Sequence, residues 1–133
     1  IIYSPGEPAG IGPDLIIKLS ASNIWENFKI PIVTIGDPNL FLDRAKKLKK
    51  KIEVIELNSV NEVKNNKKAC LQIIKVSKCK NTSPGKLTKL NANYVLDVLD
   101  YAIKQTISDK CAALVTGPIN KETCKTHDRY QSK

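Results

Sequence analysis

Short β-branched runs alternate along the chain with stretches in which apolar residues recur every three or four positions. This is the pattern of strands joined by crossover helices, an α/β architecture. Ile1 to Tyr3 predicts a strand that breaks at Ser4-Pro5-Gly6. Pro13 suits the first position of a helix, because it has no amide hydrogen to leave unpaired. That helix is expected to put Leu15, Ile16 and Leu19 on one face. Ile32 to Ile35 predicts a second strand, closed by Gly36-Asp37-Pro38, with Asp37 capping the next turn or helix. A helix from about Asn39 to Leu48 is expected to bury Leu42, Ala45 and Leu48. Ile52 to Leu57 and Leu71 to Val76 read as further strands, separated by a polar surface connection over Asn58 to Lys68. Ser77 to Thr88 reads as a loop with a turn at Ser83-Pro84-Gly85. The longest helix spans about Asn91 to Ile107, with Val95, Leu96, Val98, Leu99, Ala102 and Ile103 as its apolar stripe. Ala112 to Val115 is expected to be a last, buried strand that ends at Thr116-Gly117-Pro118.

Composition narrows the class. With 41% hydrophobic and 26% charged residues the chain is ordinary globular protein. No apolar run approaches the roughly 18 residues of a membrane span, so a cytoplasmic location and no membrane partner are expected. The net charge of +9 comes almost wholly from scattered lysines, with Arg44 and Arg129 the two arginines. A nucleic-acid reader usually mixes arginine into its basic face, so a solvated lysine surface and no nucleic-acid partner are expected. Cys70, Cys79, Cys111 and Cys124 form no Cys-x-x-Cys pair, and His127 has no metal-site spacing to any of them. Reduced thiols are expected, some of them buried. The sequence holds no methionine, not even at position 1, which leads us to expect an incomplete amino terminus.

Three stretches are candidates for chemistry; of these, the third, Ser83 to Leu87, reads as a loop over a site, with the Asn91 to Leu96 helix face that follows it more simply explained as core. Ser4 to Asp14 packs three glycines and three prolines between a strand and a helix. Glycine lets a main chain approach a ligand closely, and the first amides of the adjoining helix can face an anion. At the carboxyl end of a strand in an open sheet, this is a ligand-facing turn; the alternative is a tight turn that merely accommodates the helix start. In the second stretch, Thr116 can donate through its hydroxyl and Lys121 can supply positive charge to a phosphate. The alternative there is a strand terminator and then one more surface lysine.

In this order, the stretches resemble the 4-hydroxythreonine-4-phosphate dehydrogenase family of vitamin B6 biosynthesis. The resemblance rests on Ser4 to Leu15, on Gly36-Asp37-Pro38 with Arg44-Ala45, on Gly85-Lys86-Leu87 with Asn91-Ala92 and Tyr94-Val95, and on Leu114 to Lys121. It implies part of an isocitrate/isopropylmalate dehydrogenase-like fold, a mixed sheet with helices on both faces. It also implies oxidation and decarboxylation of 4-phosphohydroxy-L-threonine with NAD or NADP, a divalent metal (Zn, Mg or Co), and a homodimer. Carried onto this chain, the cofactor-binding residues are Gly6, Glu7, Gly10, Ile11 and Gly12, and the substrate-binding residues are Thr116 and Lys121. No catalytic residue or metal ligand is assigned, because the family's metal-binding histidines fall beyond Lys133.

The resemblance covers residues 1–121, the amino-terminal portion of the dehydrogenase fold, and residues 122–133 read as a divergent tail. The family continues with Gly-His-Thr-Glu about a dozen residues after its lysine. Here His127 lies six positions after Lys121, lacks that glycine and precedes Asp128, so it receives no role. A piece of this length is expected to be inactive alone. The alternatives are a basic module that binds anions or nucleic acid, and a remnant without function.

Overall fold

The structure, a computed structural model, describes residues 1–125 of the chain; His127 and Arg129 lie outside the described residues. Strand β1 (Ile2–Ser4) leads through helices α1 (Gly12–Ser20) and α2 (Asn23–Asn27) to β2 (Val33–Ile35). Helix α3 (Pro38–Lys47) then leads to β3 (Glu53–Leu57), and a short connection leads to β4 (Cys70–Ile74). The long helix α4 (Ala92–Ile107), strand β5 (Leu114–Thr116) and the short helix α5 (Lys121–Lys125) complete the order.

The five strands form one sheet in the order β3-β4-β2-β1-β5. Steps from β1 to β2 and from β2 to β3 run one way along the sheet, whereas the step from β4 to β5 runs back past β1. Right-handed crossovers therefore put α1 and α3 on one face and α4 on the other. The packing agrees: α1 lies against α2 and α3, while α4 lies on β1, β2 and β5. Ile2, Ile17, Trp25, Ile35, Phe41, Leu71 and Ile73 fill the core.

The α/β class and the helices on both faces are as expected. In this part of the fold the five strands of the sheet all pair in parallel. Burial then shows which side of each element faces the core. In α1, Ile16 and Ile17 face the core, while Leu15 and Leu19 are 51% and 39% exposed. In α3 the buried stripe is Leu40, Phe41, Arg44 and Ala45, and Leu42 points outward. In α4 the buried residues are Ala92, Tyr94, Val95, Val98 and Ala102, and Ile103 is exposed. The last strand is not buried either: β5 is the sheet's edge, with Val115 48% exposed. In each case the spacing identified the element, but spacing alone does not say which neighbour is present to cover a face.

The charge reading is plain in the structure, since every lysine among the described residues is exposed. All four cysteines are free, and Cys70 and Cys124 are buried. No helix of the described residues is long and apolar enough to cross a membrane.

Candidate functional site

Ser4 and Thr116 are register partners at the carboxyl ends of β1 and β5. The glycine-proline bend and the segment after β5 therefore leave the sheet side by side. Their connections depart toward opposite faces, α1 on one and α5 against α4 on the other. Adjacent parallel strands whose connections diverge in this way open a crevice where ligands bind in open α/β sheets.

The two segments are locked together through backbone. The Gly117 amide donates to Ser4 O at 2.7 Å, and the Glu7 amide donates to Pro118 O at 2.9 Å. The approach leaves no room for side chains. A Cβ on Gly6, which has φ +79°, would lie 2.3 Å from Pro118 O, and one on Gly117 would lie 2.2 Å from Pro5 O. The space beside Gly12 is likewise filled, by Pro5 O. Close backbone packing is by itself enough to require glycine at these positions.

Inside the bend, Glu7 is buried, and its carboxylate accepts the Ala9 amide at 3.1 Å. Tyr3 donates its hydroxyl to Gly12 O at 2.9 Å. A single buried cation supports the outer half: Arg44, only 3% exposed, reaches across from α3. Its guanidinium donates to Pro8 O at 2.5 Å, to Gly10 O at 3.0 Å and to the Asp14 carboxylate at 2.6 Å. The planar fork of arginine serves two carbonyls and a carboxylate at once, which a lysine cannot do.

Of the expected cofactor residues, then, Glu7 and Gly12 are buried, Gly6 and Gly10 are partly covered, and Ile11 is 58% exposed. Thr116 and Lys121 are exposed. Lys121 opens α5, whose preceding residue Asn120 accepts from the Thr123 amide and hydroxyl at 2.8 and 2.7 Å.

A third segment joins them. The turn at Ser83–Lys86 closes with Lys86 N donating to Ser83 O, and the Gly85 amide donates to Ala9 O at 2.8 Å. Beyond it, an open hollow of about 600 Å³ lies between Leu87, Thr88 and Lys89 on one side and Asn120, Glu122 and Thr123 on the other. Pockets for small ligands span roughly 300–1,000 Å³.

Sequence reasoning missed the work of Arg44 and of Tyr94. Asp37 caps α3 by accepting the Asn39 amide at 3.1 Å, as expected, but its second oxygen accepts the Cys79 amide and its own amide donates to the Tyr94 hydroxyl. The signal for Arg44 was its place in the Leu40-Phe41-Arg44-Ala45 stripe, a charge at core spacing. Burial, reinforced by Asp37 and Glu7 and opposed by Arg44, pushes the Cys79 thiol up to about 12. Burial, reinforced by Glu7, also raises the Cys124 thiol. Neither is a thiolate nucleophile near neutral pH. Among the described residues no three His, Cys, Asp or Glu side chains converge to hold a metal ion.

The known proteins that the chain is similar to bear on this geometry. A Yersinia pestis bv. Antiqua protein named 4-hydroxythreonine-4-phosphate dehydrogenase is 36% identical over 121 residues, which are 91% of this chain and 35% of the relative. The protein of that name from Vibrio parahaemolyticus is also 36% identical over the same shares. The chain thus spans about a third of the length of these relatives. Two solved structures share the fold. That of 4-hydroxythreonine-4-phosphate dehydrogenase from Klebsiella pneumoniae has a TM-score of 0.83 at 23% identity, over 95% of this chain and 38% of that one. The Burkholderia phymatum enzyme has a TM-score of 0.82 at 18% identity, over 92% and 37%. The family described as pyridoxal phosphate biosynthetic protein PdxA matches residues 27–132, and this chain belongs to that family.

Proposed function

We propose that this fold forms one wall of the active site of a nicotinamide-dependent dehydrogenase that oxidises and decarboxylates 4-phosphohydroxy-L-threonine on the way to pyridoxal phosphate. The observation that carries the reading is the meeting of three sequence-distant segments, the bend, the Gly85 turn and the Thr116–Lys121 segment, at the carboxyl end of the sheet.

Within this reading the residues divide by exposure. Gly6, Glu7 and Gly12 hold the shape of the bend, while Gly10 and Ile11 form its outward surface and meet NAD or NADP. Helix geometry leaves the first-turn amides of α1 without intrahelical acceptors, so they add positive potential beside that surface. Asp14, in the same turn, offsets part of it, and Arg44 in turn neutralises Asp14. Thr116 and Lys121 bind the phosphate of the substrate, the hydroxyl by donating a hydrogen bond and the ammonium by its charge. The nicotinamide would accept the hydride. A divalent metal would be held by residues outside this chain, and a homodimer and a cytoplasmic location belong to the same reading.

The test is turnover. A longer polypeptide that joins this chain to the remaining two thirds of a family member is expected to reduce NAD or NADP when given 4-phosphohydroxy-L-threonine, and the 133-residue chain alone is not. Substrate-dependent reduction by the chain alone, or none by the joined protein, would contradict the proposal. In the joined protein, Lys121→Ala is expected to raise KM for substrate at least tenfold, the order of one charge-assisted hydrogen bond of about 1.5–3 kcal/mol.

A further inference from the structure

The sheet has a second place where neighbouring connections part. Strands β2 and β4 are parallel neighbours, with Ile35 paired to Ile74, and the Gly36 amide donates to Ile74 O at 3.0 Å. From its carboxyl end β2 enters α3 on one face of the sheet, whereas β4 leads through residues 75–91 to α4 on the other. Diverging connections open a crevice here as they do between β1 and β5. A hollow of about 320 Å³ lies at this point, between α3 and residues 78–82. None of its lining residues is among those assigned above to cofactor or substrate.

The walls of the hollow are fixed in advance. Asp37 and Asn91, each 1% exposed, hold the loop by its backbone. The Asp37 carboxylate accepts the Cys79 amide at 2.9 Å, while Asn91 accepts the Lys80 amide at 2.8 Å and donates to Lys80 O at 3.2 Å. Lys78 and Lys80 therefore stand on one wall without the cost of ordering a loop. Lys47 stands on the α3 wall with Asn39 and Asp43. Thr82 adds a buried hydroxyl that has no hydrogen-bond partner among the described residues. Lys47, Lys78, Lys80 and Arg44 outnumber Asp37 and Asp43 in the lining, which favours an anion. Among the described residues that line the hollow, Leu40 is the one large apolar side chain and none is aromatic, so a nucleobase finds no face to stack on.

We propose that the crevice between β2 and β4 binds a small hydroxylated phosphomonoester, of the sugar-phosphate class. The ammonium groups of Lys47, Lys78 and Lys80 hold the phosphate, and the Asp43 carboxylate, the Asn39 amide and the Thr82 hydroxyl bond the sugar hydroxyls. The volume stands at the lower end of the roughly 300–1,000 Å³ of small-ligand pockets, which suits one phosphorylated sugar. Arg44 joins the two crevices, since it lines this hollow and donates to Pro8 O and Gly10 O of the bend. The site rests on the topology and the lining, independently of the proposed chemistry.

Titration of the 133-residue chain with ribose 5-phosphate, followed by calorimetry and amide-resolved NMR, tests the site. Saturable one-to-one binding with a Kd of about 1 mM or below is expected, the affinity of a few such contacts, with shifts at the amides of Asn39 and of residues 78–82. Inorganic phosphate and unphosphorylated ribose should each bind about tenfold more weakly, since each lacks half of the contacts. AMP, which adds a base to the same group, should bind no tighter than ribose 5-phosphate. Lys78→Ala and Lys80→Ala are each expected to weaken binding about threefold or more with circular dichroism unchanged, because each removes one exposed charge from the phosphate. Lys104→Ala on α4 leaves it intact. No saturation by about 10 mM, inorganic phosphate bound as tightly as ribose 5-phosphate, tighter binding of AMP, indifference to both lysine substitutions, or shifts confined to Gly10, Ile11 and Lys121 would overturn the proposal.

Discussion

The amide of Glu7 donates to the carbonyl oxygen of Pro118 across 111 residues of sequence, at 2.9 Å, and ties the first loop of the fold to the last. With the return bond from Gly117 N to Ser4 O, it makes the two motifs one backbone unit. The glycines at this contact exist because carbonyl oxygens occupy the positions where their side chains would be.

Gly117→Ala is therefore expected to destabilise the fold by about 3 kcal/mol or more, since backbone cannot give way as a side chain can. Gly85→Ala meets nothing within 4 Å and carries only the strain of φ +78°, a cost of about 1 kcal/mol. Urea unfolding of the two variants checks the contrast; equal losses would contradict it.

Arg44 is the second support of the bend. Arg44→Met leaves two carbonyls and the Asp14 carboxylate without their donor, and a loss of about 3 kcal/mol is expected, as for breaking a buried pair. Asp14→Asn is milder, because Asp14 is partly exposed and the carbonyl contacts remain. A double-mutant cycle by chemical denaturation reads the coupling, which should exceed about 0.5 kcal/mol for residues in one network.

How much of this was legible in the sequence depends on the kind of question. The alternation of strands and helices was, because a period of two or of three to four residues shows regardless of what packs on it. Pro13 and Asp37 marked their helix starts for local reasons. The orientation of each face was not legible. Leu15, Leu19 and Leu42 have core-like spacing but lie outward, and Arg44 has a charge but lies inward, because burial is decided by distant segments. The bend's glycines were recognised, but the packing that requires Gly6 depends on Pro118, more than a hundred residues away.

Asp37 joins three elements, as cap of α3, acceptor for the Cys79 amide, and neighbour of the Tyr94 hydroxyl. Asp37→Ala is expected to cost about 2 kcal/mol, above an ordinary cap of about 1, because a second, partly buried amide also loses its acceptor. Thermal unfolding with circular dichroism measures it.

The Cys79 thiol gives stability a pH dependence. Its pKa is raised from 9.0 to about 12, so the folded state holds the proton more tightly than the unfolded state does. The stabilisation is complete below the unfolded pKa of 9.0 and is lost as pH climbs toward about 12. Tyr94, raised in the same direction by burial, leaves a residual slope. Urea midpoints on either side of that window should fall less in Cys79→Ala than in the parent chain; an unchanged slope would remove the thiol from the explanation.

In the proposed enzyme the outward surface of the locked bend meets the nicotinamide nucleotide. Amide-resolved NMR of the 133-residue chain titrated with NADH or NADPH tests it most directly. The amides of Gly10 and Ile11 are expected to shift together and saturate, while Asp109 at the opposite end of the sheet stays still. Shifts confined to scattered surface lysines and abolished by salt, or no shift at the bend, would contradict it.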